Sequence, residues 1–201
     1  MVTDSYMLSN FFKQLQLTDL LTTMVPNRLY NLIIFITFFL ITTSFVYAQD
    51  RSQLMKAAFL SKFAQLSNWP KTDLLDQDKF VITVIGDDPI FPILKKIYKT
   101  KQVNNYPVQI TQTLTVCDIG NPHILYVTKS MESHLNNILD KISNKPIMTV
   151  SDTDGFGQKG ILFNFYITNK GTLHFELNTR IMKKSSLKIN LLLVEIAKII
   201  H

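Results

Sequence analysis

The sequence predicts an α/β protein: a three-layer sandwich in which a mixed, mostly parallel sheet, ending in an antiparallel hairpin, is flanked by helices. Three observations predict it. Short β-branched runs at 79–85, 123–128 and 145–150 alternate with stretches at helical spacing, the pattern of βαβ units and parallel pairing. Two further apolar runs, 161–168 and 172–177, are joined by Asn169-Lys170-Gly171, a short Gly-containing connection that marks a hairpin. A chain of 201 residues, 46% hydrophobic and without a linker or repeat, suits one compact domain with an appendage.

The appendage is amino-terminal. Leu29 to Val46 carries no ionisable side chain except Tyr30, and Arg28 stands directly before it. Val46 and Ala48 occupy the small-residue positions that signal peptidase reads, which predicts cleavage between Ala48 and Gln49 and export from the cytoplasm. The alternative is a retained inner-membrane anchor formed by residues 29–46, whose length reaches the lower limit for crossing a bilayer. Met24 would give a compact leader and is an alternative start. Residues 1–48 are therefore set apart as a signal-peptide region, and residues 49–201 as the exported domain. That domain carries the whole net charge of +6, since the leader's two basic and two acidic residues cancel.

Along the exported part, residues 51–67 contain no Gly or Pro and place Met55, Phe59, Phe63 and Leu66 on one face of a helix. Pro70 disfavours helical geometry at Trp69 and ends it. Lys62 projects from the same stripe, its stem packed and its ammonium reaching water. Lys79 to Ile85 predicts a buried strand closed by the turn Gly86-Asp87-Asp88-Pro89, and Ile90 to Lys101 a helix. Tyr106 to Leu114 alternates as an outer strand does. After the turn Gly120-Asn121-Pro122, His123 to Thr128 predicts a second buried strand, then Ser130 caps a helix to Ile142. Lys145 to Val150 is a third buried strand, leading into the polar turn Ser151 to Gly157. After the hairpin, Leu187 to Ile200 shows polar residues on one narrow side only, predicting a helix that is deeply buried or meets a partner.

Four segments, KAAFLSKFAQLSNWP (56–70), FVITVIGDDP (80–89), PIMTVSDTDGFGQKGILFNF (146–165) and HFELNTRIMKKSSLKINLLLVEIAKI (174–199), together resemble the periplasmic YfiR-like family of bacterial envelope signalling. The most specific signs are the helix ending at Trp69-Pro70, the strand ending Gly86-Asp87-Asp88-Pro89, and the spacing of Asp154, Gly155, Phe156, Gly160, Asn164 and Phe165. Ser61 and Lys62 stand where the family usually has Tyr and Asn. The resemblance implies a non-enzymatic periplasmic repressor on an α/β sandwich that can form a homodimer. Its implied partner is the periplasmic sensor domain of an inner-membrane diguanylate cyclase, whose cyclic di-GMP output it holds down.

Candidate residues follow from chemistry. Phe156, a large aromatic in a polar, Gly-flanked turn, is a candidate partner anchor; the competing reading folds its ring back over the sheet. Lys62, Phe63 and Trp69, around the end of the first helix, are further partner candidates. Asp87, Asp88, Asp152 and Asp154 follow the carboxyl ends of parallel strands, where open sheets place ligand crevices, and define an alternative function as a periplasmic solute- or cation-binding module. The competing reading is that Asp forms turns by accepting backbone hydrogen bonds. Glu176 is expected to pair with Arg180. Cys117 has no mate, which excludes a disulfide within the chain, and its flanks Val116 and Ile119 predict a partly buried thiol. The four His lack metal-ligand spacing. No nucleophile elbow or phosphate-cradling loop occurs. No catalytic residue, metal, cofactor or nucleic-acid partner is therefore expected.

Overall fold

The computed structural model describes residues 27–70 and 78–201. The chain divides into two compact units, Met1–Asp50 and Arg51–His201. Helix α1 (Asn27–Gln65) begins in the first and supplies residues 51–65 to the second. Within the first unit the side chains from Leu29 to Ile36 are exposed. Among the described residues no helix is long and apolar enough to cross a membrane. The alternative start at Met24 lies outside the described residues.

The second unit has the predicted class. After β1 (Ser67–Asn68) come β2 (Phe80–Ile85), α2 (Ile90–Ile97), β3 (Gln102–Val103), β4 (Tyr106–Thr113) and β5 (Ile124–Val127). Then follow α3 (Leu135–Lys141), β6 (Met148–Ser151), α4 (Phe156–Lys159), β7 (Phe163–Ile167) and β8 (Leu173–Asn178). The chain closes with α5 (Thr179–Lys184), β9 (Lys188–Ile189), α6 (Leu191–Ile196) and β10 (Lys198–Ile200). Eight strands form one sheet in the order β10-β8-β7-β6-β5-β2-β4-β3. The pairs β2/β4, β2/β5, β5/β6, β6/β7 and β8/β10 are parallel; β3/β4 and the predicted hairpin β7/β8 are antiparallel.

The alternation of side chains along the central strands divides the interior into two cores. Ile82, Val84, Ile124 and Tyr126 point to one face, where Ala57, Leu60 and Phe63 of α1 and Ile90 and Leu94 of α2 cover them. Ile85, Leu125 and Val127 point to the other, covered by Leu135 and Ile138 of α3 and by Phe156.

Four elements depart from expectation. The buried face of α1 runs through Gln53, Lys56, Ala57, Leu60, Phe63 and Ala64, about a third of a turn from the expected stripe, so Met55 is exposed. Ser130 does not cap a helix. Its hydroxyl bonds Thr128 Oγ1 at 2.8 Å and accepts from the Asp87 N–H at 3.0 Å, and the segment Lys129–His134 is a 3-10 turn preceding α3. The run 187–200 is not one helix: Ile189 pairs with Ser67, Asn190 turns the chain by accepting from the Leu192 N–H at 3.0 Å, and β10 adds to the sheet beyond β8. Pairing with an open strand edge outweighs an apolar pattern that fits a helix equally well. Lastly, the polar turn after β6 contains the short helix α4, which carries Phe156 inward.

Candidate functional site

A crevice opens at the carboxyl ends of the parallel strands. From β2 the chain turns to α2 on one face and on to β4; from β5 it turns to α3 on the other face and on to β6. The connections diverge between β2 and β5, which is where an open α/β sheet leaves a crevice. Gly86 holds the two loops in contact. Its φ of +100° suits glycine, and a Cβ there would lie 2.0 Å from Thr128 Oγ1 and 2.4 Å from Ser130 Oγ.

The resulting cavity, about 460 Å³, is lined by Asp88, Lys129, Glu132, Asp152, Thr153 and Asp154. Three of the four predicted carboxylates are thus brought together. Asp87 is exposed and outside the lining, its backbone N–H held by Ser130. Asp88 Oδ1 accepts from the Ile90 N–H at 2.8 Å, the turn-forming role foreseen for it, and also faces the cavity. Asp152 is held by a short ion pair from Lys56 Nζ, with Lys56 nearly buried on the inner face of α1. Behind them the Tyr126 hydroxyl is enclosed on β5. Burial, reinforced by the charges of Asp152 and Asp88, keeps it protonated well above the usual phenol range.

Burial also raises the Asp88 carboxyl above its ordinary value, with the charge of Asp152 adding to the effect, while the Ile90 N–H and Lys56 oppose it. A carboxyl raised by folding favours the native state below its unfolded value, and that contribution is lost as pH rises through the folded value. Asp88→Asn, which keeps an oxygen for the Ile90 N–H, is therefore expected to equal the parent in stability near pH 3.5 and to exceed it progressively toward pH 7. Urea unfolding across this range checks it; an equal difference at all pH values would contradict it.

The partner candidates are placed differently. Phe156 is fully buried in the second core, so its ring covers the sheet. Phe63 is fully buried in the first core. Trp69 packs edge-on against Phe80, its indole N–H donating to the His123 carbonyl at 3.3 Å. Of the four, only Lys62 is exposed. The Asp-Gly-Phe-Gly spacing has a packing explanation: Gly155 takes a φ of +77° to start α4, and Gly157 lies where a Cβ would meet Ile200 and Glu176 at 2.6 and 2.8 Å. Glu176 pairs with Lys198 at 2.9 Å rather than with Arg180, because β10 places Lys198 beside it in register. Cys117 is exposed.

Sequence reasoning missed Lys56, Tyr126, Thr153, Lys129 and Glu132. The signal for Lys56 was its spacing, three and four residues from Gln53 and Leu60, on the row that α1 buries. Among the described residues no group of three or more His, Cys, Asp or Glu is placed to hold a metal ion. His123 is structural: its Nδ1 accepts from the Val81 N–H at 3.0 Å and its ring stacks on Phe80. What the site offers is a preformed ion pair beside further carboxylates.

No curated protein matches the chain. The model of a protein family described as YfiR/HmsC-like matches residues 53–198, nearly the whole of the second unit. The matched span contains both strands that frame the crevice, the glycines that shape α4, and the closing strand β10 up to Lys198. The chain therefore belongs to the YfiR/HmsC-like family, a regulatory family without catalytic function.

Proposed function

We propose that the chain is a periplasmic regulator that binds the periplasmic sensor domain of an inner-membrane diguanylate cyclase and represses it. The family match over residues 53–198 carries this reading. In the proposed precursor, residues 1–48 direct export and are removed after Ala48, and residues 49–201 act as the periplasmic domain. A binder of this kind needs no chemistry of its own. It shifts a two-state enzyme by binding one state more tightly than the other.

With Phe63, Trp69 and Phe156 committed to the cores, the contact is better sought on residues 191–199. Leu191, Leu192 and Ile196 are 66%, 56% and 60% exposed and Ile199 is 40% exposed, whereas Leu193 alone in α6 is buried. Apolar side chains clustered at the surface are the usual core of a protein contact. A homodimer through the same surface would compete with the cyclase for it.

The experiment expresses the chain with its cyclase and measures cellular cyclic di-GMP. Leu192→Asp and Ile196→Asp are expected to raise cyclic di-GMP to the level of a deletion strain while melting within about 0.5 kcal/mol of the parent, as exposed substitutions do. A deletion that leaves cyclic di-GMP unchanged would reject the function; folded variants that still repress would reject this surface.

A further inference from the structure

The crevice between β2, β5 and β6 has open hydrogen-bonding capacity of one kind. Two of its charges are internally matched: Asp152 by Lys56, and Glu132 by Lys159 at 3.1 Å. That leaves Asp88 and Asp154 in the lining against Lys129, an excess of negative charge in a cavity of about 460 Å³, within the size range of small-ligand sites. Between Asp152 and Asp154 sits Thr153, a residue of the cavity lining that is 6% exposed and whose Oγ1 has no hydrogen-bond partner. Buried polar atoms are nearly always satisfied, so an unsatisfied hydroxyl in the wall of a polar cavity points to a group that binds there.

The chemistry of that group follows from what is open. Carboxylate oxygens only accept hydrogen bonds and the Thr153 hydroxyl can accept one, so a donor is the one partner that suits Asp88, Asp154 and Thr153 together. Its charge is positive, because Asp88 and Asp154 would repel an anion. A bare divalent ion fits poorly: the Lys56 ammonium already occupies Asp152, and no group of three ligating side chains converges among the described residues. We propose that this crevice is a binding site for a small primary-ammonium ligand, its N–H groups donating to Asp88, Asp154 and Thr153 Oγ1. The site stands at the opposite ends of the parallel strands from His123 and Trp69, and its occupation does not depend on any contact with a cyclase.

The probe is 1,4-diaminobutane, titrated calorimetrically into the full chain. Saturable one-to-one binding is expected, weakened roughly tenfold or more by Asp88→Asn, by Asp154→Asn and by Thr153→Val, since each removes one charge-assisted or otherwise unmet hydrogen bond. Asp154 is exposed and Asp88→Asn keeps its backbone bond, so both variants retain the fold; thermal melting confirms this. Tetramethylammonium, which has the charge but no N–H, is expected not to compete. Absence of saturable binding overturns the proposal. So does binding that all three variants leave unchanged, or displacement of the diamine by magnesium chloride or inorganic phosphate at equal concentration.

Discussion

Phe63→Ala is expected to lower stability by about 4 kcal/mol, the upper part of the range for deleting a buried ring. Phe63 is fully buried where α1 meets the sheet. Its ring stacks on Phe163 with centroids 4.2 Å apart and 12° between planes, and meets Phe175 edge-on at 4.9 Å. Phe165 and Phe59 complete the cluster at 5.7 and 6.0 Å. Removing the ring deletes both transfer energy and several favourable ring pairs, each worth about 0.5–1.5 kcal/mol beyond area. The cavity cannot collapse easily, because its walls lie on three elements, helix α1 and the paired strands β7 and β8. A domain of this size holds about 5–15 kcal/mol in total, so the variant would be marginal. Urea unfolding by circular dichroism measures the loss. The result also separates two roles. If Phe63 were a surface anchor, the variant would stay fully folded and lose repression; as a core residue it loses both together.

The strands were legible because each is marked by composition and punctuation at once. Lys79 to Ile85 is β-branched and closed by Gly86, and β2 covers all but its first residue. The hairpin at Asn169-Lys170-Gly171 forms where Gly171 supplies a positive φ. The crevice was legible from topology alone, because Asp88, Asp152 and Asp154 each follow a parallel strand, and register brings strand ends together. What pattern could not settle was facing and partnership. In α1, Met55, Phe59 and Phe63 and the alternative row Lys56, Ala57, Leu60, Ala64 both satisfy helical spacing. The second row is buried because small Ala57 and Ala64 let the helix approach the sheet closely. Phe156 stood between an exposed and an inward placement, because a ring in a Gly-rich turn fits either until Gly155 and Gly160 are seen to wind that turn into α4. At the carboxyl terminus, whether Lys198 to Ile200 extends a helix or joins an edge depends on Glu176, some twenty residues away, which no local window contains. The Asn104-Asn105 turn between β3 and β4, with both residues at positive φ, was a readable hairpin signal that the helix expected to Lys101 obscured.

Lys56→Met is expected to cost about 2–3 kcal/mol, and Asp152→Asn added to it to recover more than half. Removing one partner of a buried pair leaves the other charge without compensation, a penalty of about 3–5 kcal/mol in full burial, reduced here because Asp152 retains 19% side-chain exposure. Methionine preserves the packing of the Lys56 stem between Gln53 and Leu60, so the loss isolates the charge. In the double variant neither charge remains, and the interaction energy from the four-member cycle gives the coupling directly. The loss should also depend on pH. Lys56 lowers the Asp88 carboxyl, opposing burial and the charge of Asp152. Without the ammonium that carboxyl rises further above its unfolded value, so the native state is penalised once pH exceeds the folded value and not below the unfolded one. The cost of Lys56→Met is therefore larger at pH 7.5 than at pH 4.5. A pH-independent loss would mean that the stem, rather than the ammonium, holds α1 to the strand ends, and would remove the electrostatic frame on which the crevice is built.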